Sequence, residues 1–124
     1  MPGMSSIDDN VFCYLTTTGR VTGNPHEIEI WFARDRDTIY MLSGYGDRSD
    51  WVRNLIANGE AEVRIDGERR EGRGRVIAEG DEQAIARRLV FEKYQPRKEN
   101  DLANWRDTAL PLAIDLAEGA RSTV

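Results

Sequence analysis

Apolar and polar residues alternate along several short segments of this chain, which is the pattern of β-strands with one buried face. Residues 11–18 are rich in β-branched and aromatic side chains, and residues 60–66 alternate strictly between polar and apolar. The last such segment has leucine or isoleucine at every second position from Leu110 to Leu116. The alternation predicts six strands, at residues 11–18, 26–34, 38–43, 60–66, 69–78 and 110–116.

Two other segments place apolar residues at helical spacing. The first follows Ser49, whose hydroxyl is suited to capping a helix N-terminus, and we expect it to end through a left-handed residue at residues 58–59. The second opens after Gly80 and ends at Pro96, because proline cannot continue a helix. Residues 98–108 show neither period, so the sequence leaves their conformation open. The apolar residues of the first helix are Trp51, Val52, Leu55 and Ile56.

Short turns join the consecutive strands, so we expect the pairing to be mainly antiparallel. Closing about six such strands into a small, partly open barrel hides the sheet edges, and we predict this mainly β fold with two or three accessory helices. The alternative is an open α+β sheet with both helices on one face. We expect one domain at residues 11–118, preceded by a flexible N-terminus at residues 1–10 and followed by a tail at residues 119–124.

Composition narrows the classes of function. The 124 residues carry a net charge of −5, with 17 Lys plus Arg against 22 Asp plus Glu, which disfavours binding to nucleic acid. The single cysteine, Cys13, excludes an internal disulfide, and one cysteine with one histidine nearly excludes a zinc site. No apolar run approaches the roughly 20 residues of a transmembrane helix, and the first residues lack the features of a signal peptide. We therefore expect a cytoplasmic protein without a metal site.

A glycine-rich stretch, residues 43–49, leads into the first predicted helix. Such a loop exposes backbone N–H groups beside the positive end of the helix dipole, and Arg48 and Arg53 add charge that can pair with a phosphate or carboxylate. It is not a P-loop, because no Gly-Lys-Ser/Thr follows the glycines. On the residues alone, the alternative that Ser49 and Asp50 cap their own helix is favoured, since nearby aspartates repel an anion.

A second polar stretch, residues 15–26, contains threonine hydroxyls, two glycines and Arg20, which suit a polar, multiply charged ligand. The alternative is a turn exposed to solvent. His26 is a candidate proton donor or partner for an anionic group, or else an ordinary surface residue. Tyr94 and Trp105 are candidates for the wall of a pocket for a flat substrate, or else core residues. The sequence offers no convincing hydrolytic triad, and no catalytic residue is assigned.

Two blocks together carry a family resemblance. The first is Leu-Thr-Thr-Thr-Gly-Arg-Val-Thr-Gly at residues 15–23, and the second is Trp-Val-Arg-Asn-Leu-Ile-Ala-Asn at residues 51–58. With Ser43 between them and a closing segment at residues 106–112, they span most of residues 11–114. This pattern resembles the deazaflavin-dependent nitroreductase family. The resemblance implies a split β-barrel like that of FMN-binding proteins, usually dimeric, that binds the reduced deazaflavin coenzyme F-420 and passes a hydride to small unsaturated or nitro-bearing acceptors.

The resemblance also implies which residues hold the coenzyme. Arg20, Thr22 and Gly23 would meet its phosphate and glutamyl tail, which requires the two glycine-bearing stretches to converge in space. The expected cofactor-binding residues are Arg20, Thr22, Gly23, His26, Ser43, Gly44, Gly46, Arg48, Trp51, Arg53 and Asn54. The expected substrate contacts are Tyr45, Tyr94 and Trp105, and the proton donor is solvent, Tyr45 or His26.

The chain departs from the family pattern at three positions. Val21 and Gly44 stand where the family usually has lysine, and His26 stands where it has arginine. Each charge-assisted contact is worth roughly 1.5–3 kcal/mol, so these changes weaken capture of a polyanionic coenzyme unless Arg48 and Arg53 compensate. Two alternatives therefore stay open: a flavin such as FMN in the same barrel, or a non-catalytic dimeric module that binds a cofactor or a lipid-like ligand. A small-molecule substrate and a homodimer are the expected partners.

Overall fold

The computed structural model describes residues 11–117, so the segments predicted at residues 1–10 and 119–124 lie outside it. The strands are β1 (Cys13–Thr18), β2 (Pro25–Ile30), β3 (Ala33–Asp35), β4 (Thr38–Ser43), β5 (Glu60–Ile65), β6 (Glu68–Val76) and β7 (Leu110–Leu116). The helices are α1 (Asp50–Ala57), α2 (Asp81–Tyr94) and α3 (Ala103–Thr108). Within the described residues, no helix is long and apolar enough to cross a membrane.

The sheet closes because its two edge strands are neighbours in the sequence. Its strands lie in the order β2-β1-β5-β6-β7-β4-β3, and every neighbouring pair is antiparallel. The two edge strands, β2 and β3, are consecutive in sequence and are separated by Trp31 and Phe32. Since successive Cα atoms are about 3.8 Å apart, Ile30 and Ala33 at the two edges lie within about 11 Å of each other. The sheet therefore curls into a split barrel, and the predicted fold class is confirmed.

The predicted second strand, residues 26–34, is wrong as a single element. The structure divides it into β2, which pairs with β1, and β3, which pairs with β4 at the opposite edge of the sheet. Phe32 is fully buried at the division and Trp31 is half-buried. Because apolar residues continue through the division, the sequence pattern stays strand-like and does not reveal the change of partner.

Two predictions about the ends of α1 are also wrong. Ser49 occupies the N-cap position, but its hydroxyl makes no capping hydrogen bond and lies 3.3 Å from the hydroxyl of Ser43. Asn58 has an extended backbone, with φ of −149°, because the chain passes almost directly from α1 into β5. Residues 98–108, which the sequence left open, contain the third helix, α3.

Two apolar clusters form the core. The first fills the barrel, and Val52 and Leu55 of α1 cover one end of it. The second lies between α2 and the outer side of the sheet, where Tyr40 and Ala113 meet Val90. Burial raises the pKa of the Cys13 thiol in the first cluster to about 12, so Cys13 is an inert core residue at neutral pH. Helix α1 therefore closes one end of the barrel.

Strand β6 approaches its neighbours too closely for side chains at two positions. A Cβ placed on Gly72 would lie 2.5 Å from the carbonyl oxygen of Asp115, and a Cβ placed on Gly74 would lie 2.7 Å from Cδ2 of Leu55. Both separations are shorter than any normal contact. Glycine at these positions lets β6 lie against β7 and lets α1 pack closely onto the end of the barrel.

The junction between the two sheet edges is fixed from α2 by Tyr94, whose side chain is fully buried. The Tyr94 hydroxyl accepts a hydrogen bond from the backbone N–H of Phe32 (2.9 Å) and shares its own proton between the carbonyl oxygens of Val11 and Phe32. The Tyr94 ring also stacks on Trp31, with 4.3 Å between ring centroids. Burial raises the pKa of Tyr94 to about 12. Tyr94 therefore fixes the junction between the two edge strands, where the barrel closes.

Ion pairs fix the N-terminal end of α2 on the sheet. Arg75 of β6 donates two hydrogen bonds of 2.8 Å to Glu82 of α2, and it donates two more to Asp115 of β7. The hydroxyl of Tyr40 donates to the same Glu82 carboxylate (3.0 Å). The Arg75 guanidinium holds the pKa of Glu82 below its usual value. This network sets the position of α2 relative to β4, β6 and β7.

We expect Tyr94→Phe to destabilise the fold by about 1–3 kcal/mol, because it leaves the buried N–H of Phe32 without an acceptor. It should also reduce the loss of stability at alkaline pH. The buried phenol stays protonated up to its pKa of about 12, whereas tyrosine in the unfolded chain ionises near 10. The stabilisation from Tyr94 is therefore complete below pH 10 and is lost as the pH rises towards 12.

Urea unfolding followed by tryptophan fluorescence measures both effects. Tyr14→Phe is the control, because the Tyr14 hydroxyl makes no hydrogen bond to the residues that the structure describes. Equal free energies of unfolding at neutral pH for Tyr94→Phe and the wild type would contradict the role assigned to Tyr94.

Candidate functional site

The first turn, residues 19–24, follows β1 and is closed by backbone hydrogen bonds from Gly19 to Asn24 and from Gly23 to Gly19, each 2.8 Å. Gly23 has a φ of +80°, a conformation that other residues rarely adopt. The hydroxyl of Thr22 accepts a hydrogen bond from the N–H of Asn24 (3.1 Å). Nothing lies within 4 Å of a Cβ placed on Gly23, so this side of the turn is open to a ligand.

Arg20 joins the first turn to α1. Its Nη1 donates to Oδ1 of Asn54 (2.9 Å), and its Nη2 lies 3.3 Å from Oδ1 of Asp50. The backbone N–H of Arg20 also donates to Oδ1 of Asn54 (3.2 Å). The amide nitrogen of Asn54 donates in turn to the hydroxyl of Thr17 (3.1 Å), and both of these side chains are buried. The Asn54 amide therefore fixes the first turn against α1 and the end of β1.

The second turn, residues 44–49, is fixed at the N-terminus of the same helix. The hydroxyl of Ser43 donates to the carbonyl oxygen of Gly46 (2.9 Å), and Nε of Arg53 donates to the carbonyl oxygen of Asp47 (3.1 Å). Gly46 has a φ of +63°, which again favours glycine. The two turns that the sequence singled out therefore converge on α1.

Two shallow grooves of about 340 Å³ each lie beside these turns and share Arg20. The groove between the first turn and α1 is lined by Gly19, Arg20, Val21, Thr22, Asn24, His26, Asp50 and Asn54. The groove between α1 and the second turn is lined by Arg20, Asp47, Arg53, Ile56 and Ala57. Because Arg20 lines both, the two are named together the arginine groove.

The arginine groove is lined by two arginines, Arg20 and Arg53, and two aspartates, Asp47 and Asp50, and Arg48 follows Asp47 in the second turn. The Arg48 guanidinium makes no hydrogen bond or ion pair with the described residues. Arg53 uses only its Nε in the contact with the second turn. The pair between Arg20 and Asp50 is exposed to solvent and is therefore weak. An incoming anion thus meets donors that the fold does not itself need.

His26 lies beside the first turn in the same groove. A Cβ placed on Gly19 would lie 2.7 Å from Nε2 of His26, so the imidazole rests directly on the glycine. Val21 is 86% exposed and brings no charge to the groove. Five of the predicted cofactor-binding residues thus line the arginine groove, namely Arg20, Thr22, His26, Arg53 and Asn54, whereas Gly23 of the same turn lines the groove on β1, β5 and β6.

The other predicted cofactor-binding residues lie on or beneath the second turn. Gly44, Gly46 and Arg48 belong to the turn itself, and Ser43 is buried below it. A Cβ placed on Gly44 would make an ordinary contact of 3.5 Å with the indole of Trp105. The remaining residue, Trp51, is half-buried and packs against the barrel core.

Of the three predicted substrate contacts, Tyr94 and Trp105 both pack against Trp31, and the three differ widely in exposure. Tyr45 is 75% exposed on the second turn. Trp105 is half-buried and packs edge-on against Trp31, with 5.6 Å between ring centroids. Tyr94 is fully buried and its hydroxyl is used by the backbone of Phe32, so it has no surface for a substrate. Tyr94 is thus a core residue, which is the alternative that its place on the second predicted helix allowed.

Sequence reasoning missed the place of Ile56 in this region. Its spacing of four from Val52 put it on the apolar side of α1, yet it is 60% exposed and lines the arginine groove. The helix packs on the barrel only through the side that carries Val52 and Leu55. The sequence does show that the apolar residues of α1 extend beyond the side that carries Val52 and Leu55. It does not show how much of the helix surface the barrel covers.

A larger groove, of about 960 Å³, lies on the outer face of β1, β5 and β6. Glutamates surround Arg73 there, with Glu60, Glu62 and Glu71 in its lining. It reaches the first turn only at Gly23. Its acidic lining makes it a poorer site for an anion than the arginine groove, despite its greater volume.

Comparison with solved structures shows the same fold in several proteins. A structure of an F420-H2-dependent reductase, FDR-A, has a TM-score of 0.70 at 18% identity and covers 85% of this chain and 94% of its own. A conserved hypothetical protein from Mycobacterium tuberculosis has a TM-score of 0.71 at 17% identity, with 90% and 76% covered. A structure described as a domain-swapped dimer has a TM-score of 0.70 at 18% identity, with 92% and 87% covered.

The family is shown by the sequence itself. The model of the F420H(2)-dependent quinone reductase family matches residues 5–117, which is nearly the whole chain. This match agrees with the resemblance carried by the blocks at residues 15–23 and 51–58, and with the convergence of those blocks at α1. The chain therefore belongs to the F420H(2)-dependent quinone reductase family, and it is an oxidoreductase whose cofactor is coenzyme F-420.

Proposed function

We propose that this protein holds coenzyme F-420 in the arginine groove and reduces a small, flat, unsaturated or nitro-bearing organic acceptor. Quinones, which give the family its description, belong to this class of acceptor. The observation that carries the proposal is the position of Arg20, which lines both parts of the groove at the point where the two turns meet on α1.

The residues around the arginine groove fit the anionic phosphate and glutamyl tail of the coenzyme. Arg20, Arg48 and Arg53 present guanidinium groups to solvent, and such groups bind phosphate and carboxylate with paired hydrogen bonds. Gly23 has an open side that lets an oxygen approach the backbone of the first turn from the groove on β1, β5 and β6. His26 adds a further donor at the far end of the arginine groove. These residues would hold the tail.

The residues beneath and beside the second turn would hold the remainder of the coenzyme. We assign this role to Ser43, Gly44, Gly46, Trp51 and Asn54. The indole of Trp105 lies beside this turn, 3.5 Å from where a Cβ on Gly44 would be. Asn54 already holds the Arg20 guanidinium in place, so less conformational entropy is lost when an anion binds.

When bound, the reduced coenzyme supplies the hydride, and the protein supplies binding, orientation and exclusion of water. The acceptor gains one hydride and one proton, so it is reduced by two electrons while the coenzyme is oxidised by two. Tyr45 is exposed, and so is His26, which places solvent protons within reach of both. Proton delivery therefore does not require a buried acid.

The three departures from the family pattern are consistent with a shift of the positive charge along the groove. Val21 and Gly44 provide no cation, and both are exposed. Arg48 and Arg53 lie on the other side of Arg20, at the second turn and in α1. We propose that these two arginines bind the tail in place of the missing lysines.

Arg20→Ala should weaken the binding of oxidised coenzyme F-420 by roughly 10- to 150-fold, which corresponds to the loss of one charge-assisted contact of about 1.5–3 kcal/mol. Tryptophan fluorescence during titration measures the Kd. The fold should tolerate the change, because the backbone N–H of Arg20 still donates to Asn54. Arg88→Ala is the control, since Arg88 is an exposed residue of α2 that pairs, within residues 11–117, only with Glu92 on the same helix.

Asp50→Asn is the converse variant of the same experiment. It removes the carboxylate that competes for Arg20, so the coenzyme should bind roughly two- to fivefold more tightly, as expected for an exposed ion pair of about 0.5–1 kcal/mol. An unchanged Kd for Arg20→Ala would remove Arg20 from the site. Binding of FMN but not of coenzyme F-420 would favour the flavin alternative, and binding without turnover of any acceptor would favour the non-catalytic module.

We also propose that the protein forms a homodimer through β2. This strand is an edge of the sheet, and Pro25–Ile30 are exposed or half-exposed along its whole length. An unpaired edge of this kind is a template for a strand from a second copy. Sedimentation equilibrium should give twice the chain mass of 14.1 kDa, and a monomer at every concentration measured would contradict the proposal.

A further inference from the structure

A third groove, of about 540 Å³, lies between α1, the end of β6, the start of β7 and the first half of α2. Its apolar lining comes from Ile56, Val76, Ala109, Leu110 and Pro111. We name it the Ile56–Val76 groove. Ile56 is 60% exposed and Val76 is 38% exposed, although large apolar side chains on a monomer's surface rarely cluster without a function. The volume is within the usual range for a small-molecule site.

The Ile56–Val76 groove is continuous with the arginine groove. Asp47 and Ile56 line both of them, so the second turn and the C-terminal half of α1 form a shared wall. A ligand in one groove therefore lies beside a ligand in the other. Gly46, which we assign to the part of the coenzyme beyond the tail, also lines the Ile56–Val76 groove. An acceptor there therefore lies beside that part of the coenzyme, as hydride transfer needs, because the two reacting molecules must be in contact.

Two polar side chains of the Ile56–Val76 groove are already used by the fold, and the carboxylates of Asp47 and Glu79 also line it. Nη1 of Arg87 donates to the carbonyl oxygens of Arg106 (2.6 Å) and Ala109 (2.9 Å). The amide nitrogen of Gln83 donates to the carbonyl oxygen of Ile77 (3.1 Å). The groove thus offers apolar contact and few free donors, which is the opposite of the arginine groove. It suits an uncharged ring and disfavours a polyanion.

We infer that the Ile56–Val76 groove binds the organic acceptor, as an uncharged aromatic or quinonoid ring with apolar substituents packed against Ile56 and Val76. This inference rests on the proposed function and adds the place and the chemical class of the acceptor. The acceptor then packs against the apolar residues of this groove and not against Tyr94. The acceptor receives the hydride from the reduced coenzyme and one proton from solvent, so the reaction balances as a two-electron reduction.

Two variants test the inference without affecting the core. Ile56→Gln keeps a residue that favours helix, and Val76→Thr keeps the shape of the side chain while it replaces a methyl group by a hydroxyl. Each should raise the KM for 4-propylnitrobenzene by roughly five- to tenfold, because apolar contact with the substituent is lost. The KM for unsubstituted nitrobenzene should rise less. The Kd of oxidised coenzyme F-420, measured by fluorescence, should stay unchanged in Val76→Thr, because Val76, unlike Ile56, does not line the arginine groove.

Phe12→Gln is the matched control, since Phe12 is an exposed apolar residue beside the opposite end of β1 from α1. A rise in the KM in both groove variants but not in the control supports the inference. If the coenzyme Kd weakens instead, the groove holds the coenzyme ring, and the inference is overturned while the proposed function stands. Unchanged KM and unchanged Kd also overturn it.

A readout without turnover separates the inference from the proposed function. Val76→Cys places a thiol in the groove, whereas the natural Cys13 is fully buried and unreactive. Saturating 4-propylnitrobenzene should slow the alkylation of the new thiol by iodoacetamide, and oxidised coenzyme F-420 alone should not. Absence of protection by the nitroarene overturns the inference. If the nitroarene protects the thiol but the protein does not bind coenzyme F-420, the groove is still the binding site of the nitroarene. That result contradicts only the proposed function.

Discussion

The connection between β2 and β3 is the constraint on which the rest of the structure depends. These strands are the two edges of the sheet, and only Trp31 and Phe32 join them, so the sheet must curl until its edges nearly meet. Tyr94 holds this junction through the backbone of Phe32 and by stacking on Trp31. Closure creates a barrel with one end to be covered, and α1 covers it. The position of α1, and with it the position of both turns, follows from the closure.

Buried polar contacts then convert this covered end into a binding surface. Asn54 is the central residue, because its amide joins Thr17 of β1 to Arg20 of the first turn. A buried amide without partners would be costly, so each of these hydrogen bonds makes the arrangement more specific. The surface that results carries different chemistry at its two ends, with Arg20 at the first turn and Val76 at the far end of the Ile56–Val76 groove. A charged coenzyme and an apolar acceptor can thus bind side by side.

The sequence predicted the parts whose signal is local. Period-two alternation located the strands, and the blocks around Arg20 and Asn54 pointed to the site and the family. It failed where a long-range partner decides the outcome. The residues at Trp31 and Phe32 keep a strand-like pattern although the strand changes partner there, and nothing in the sequence around Tyr94 shows that its hydroxyl binds a distant backbone. The exposure of a helical residue depends in the same way on which side of the helix packs against the rest of the protein.

The most direct test of the central claim is a titration of the ¹⁵N-labelled protein with oxidised coenzyme F-420, followed by the chemical shifts of the backbone amides. If both turns hold the coenzyme, the largest changes fall in residues 19–26 and 44–54, and both groups change with one Kd. Changes confined to the outer face of β1, β5 and β6, or to only one of the two turns, would contradict the account.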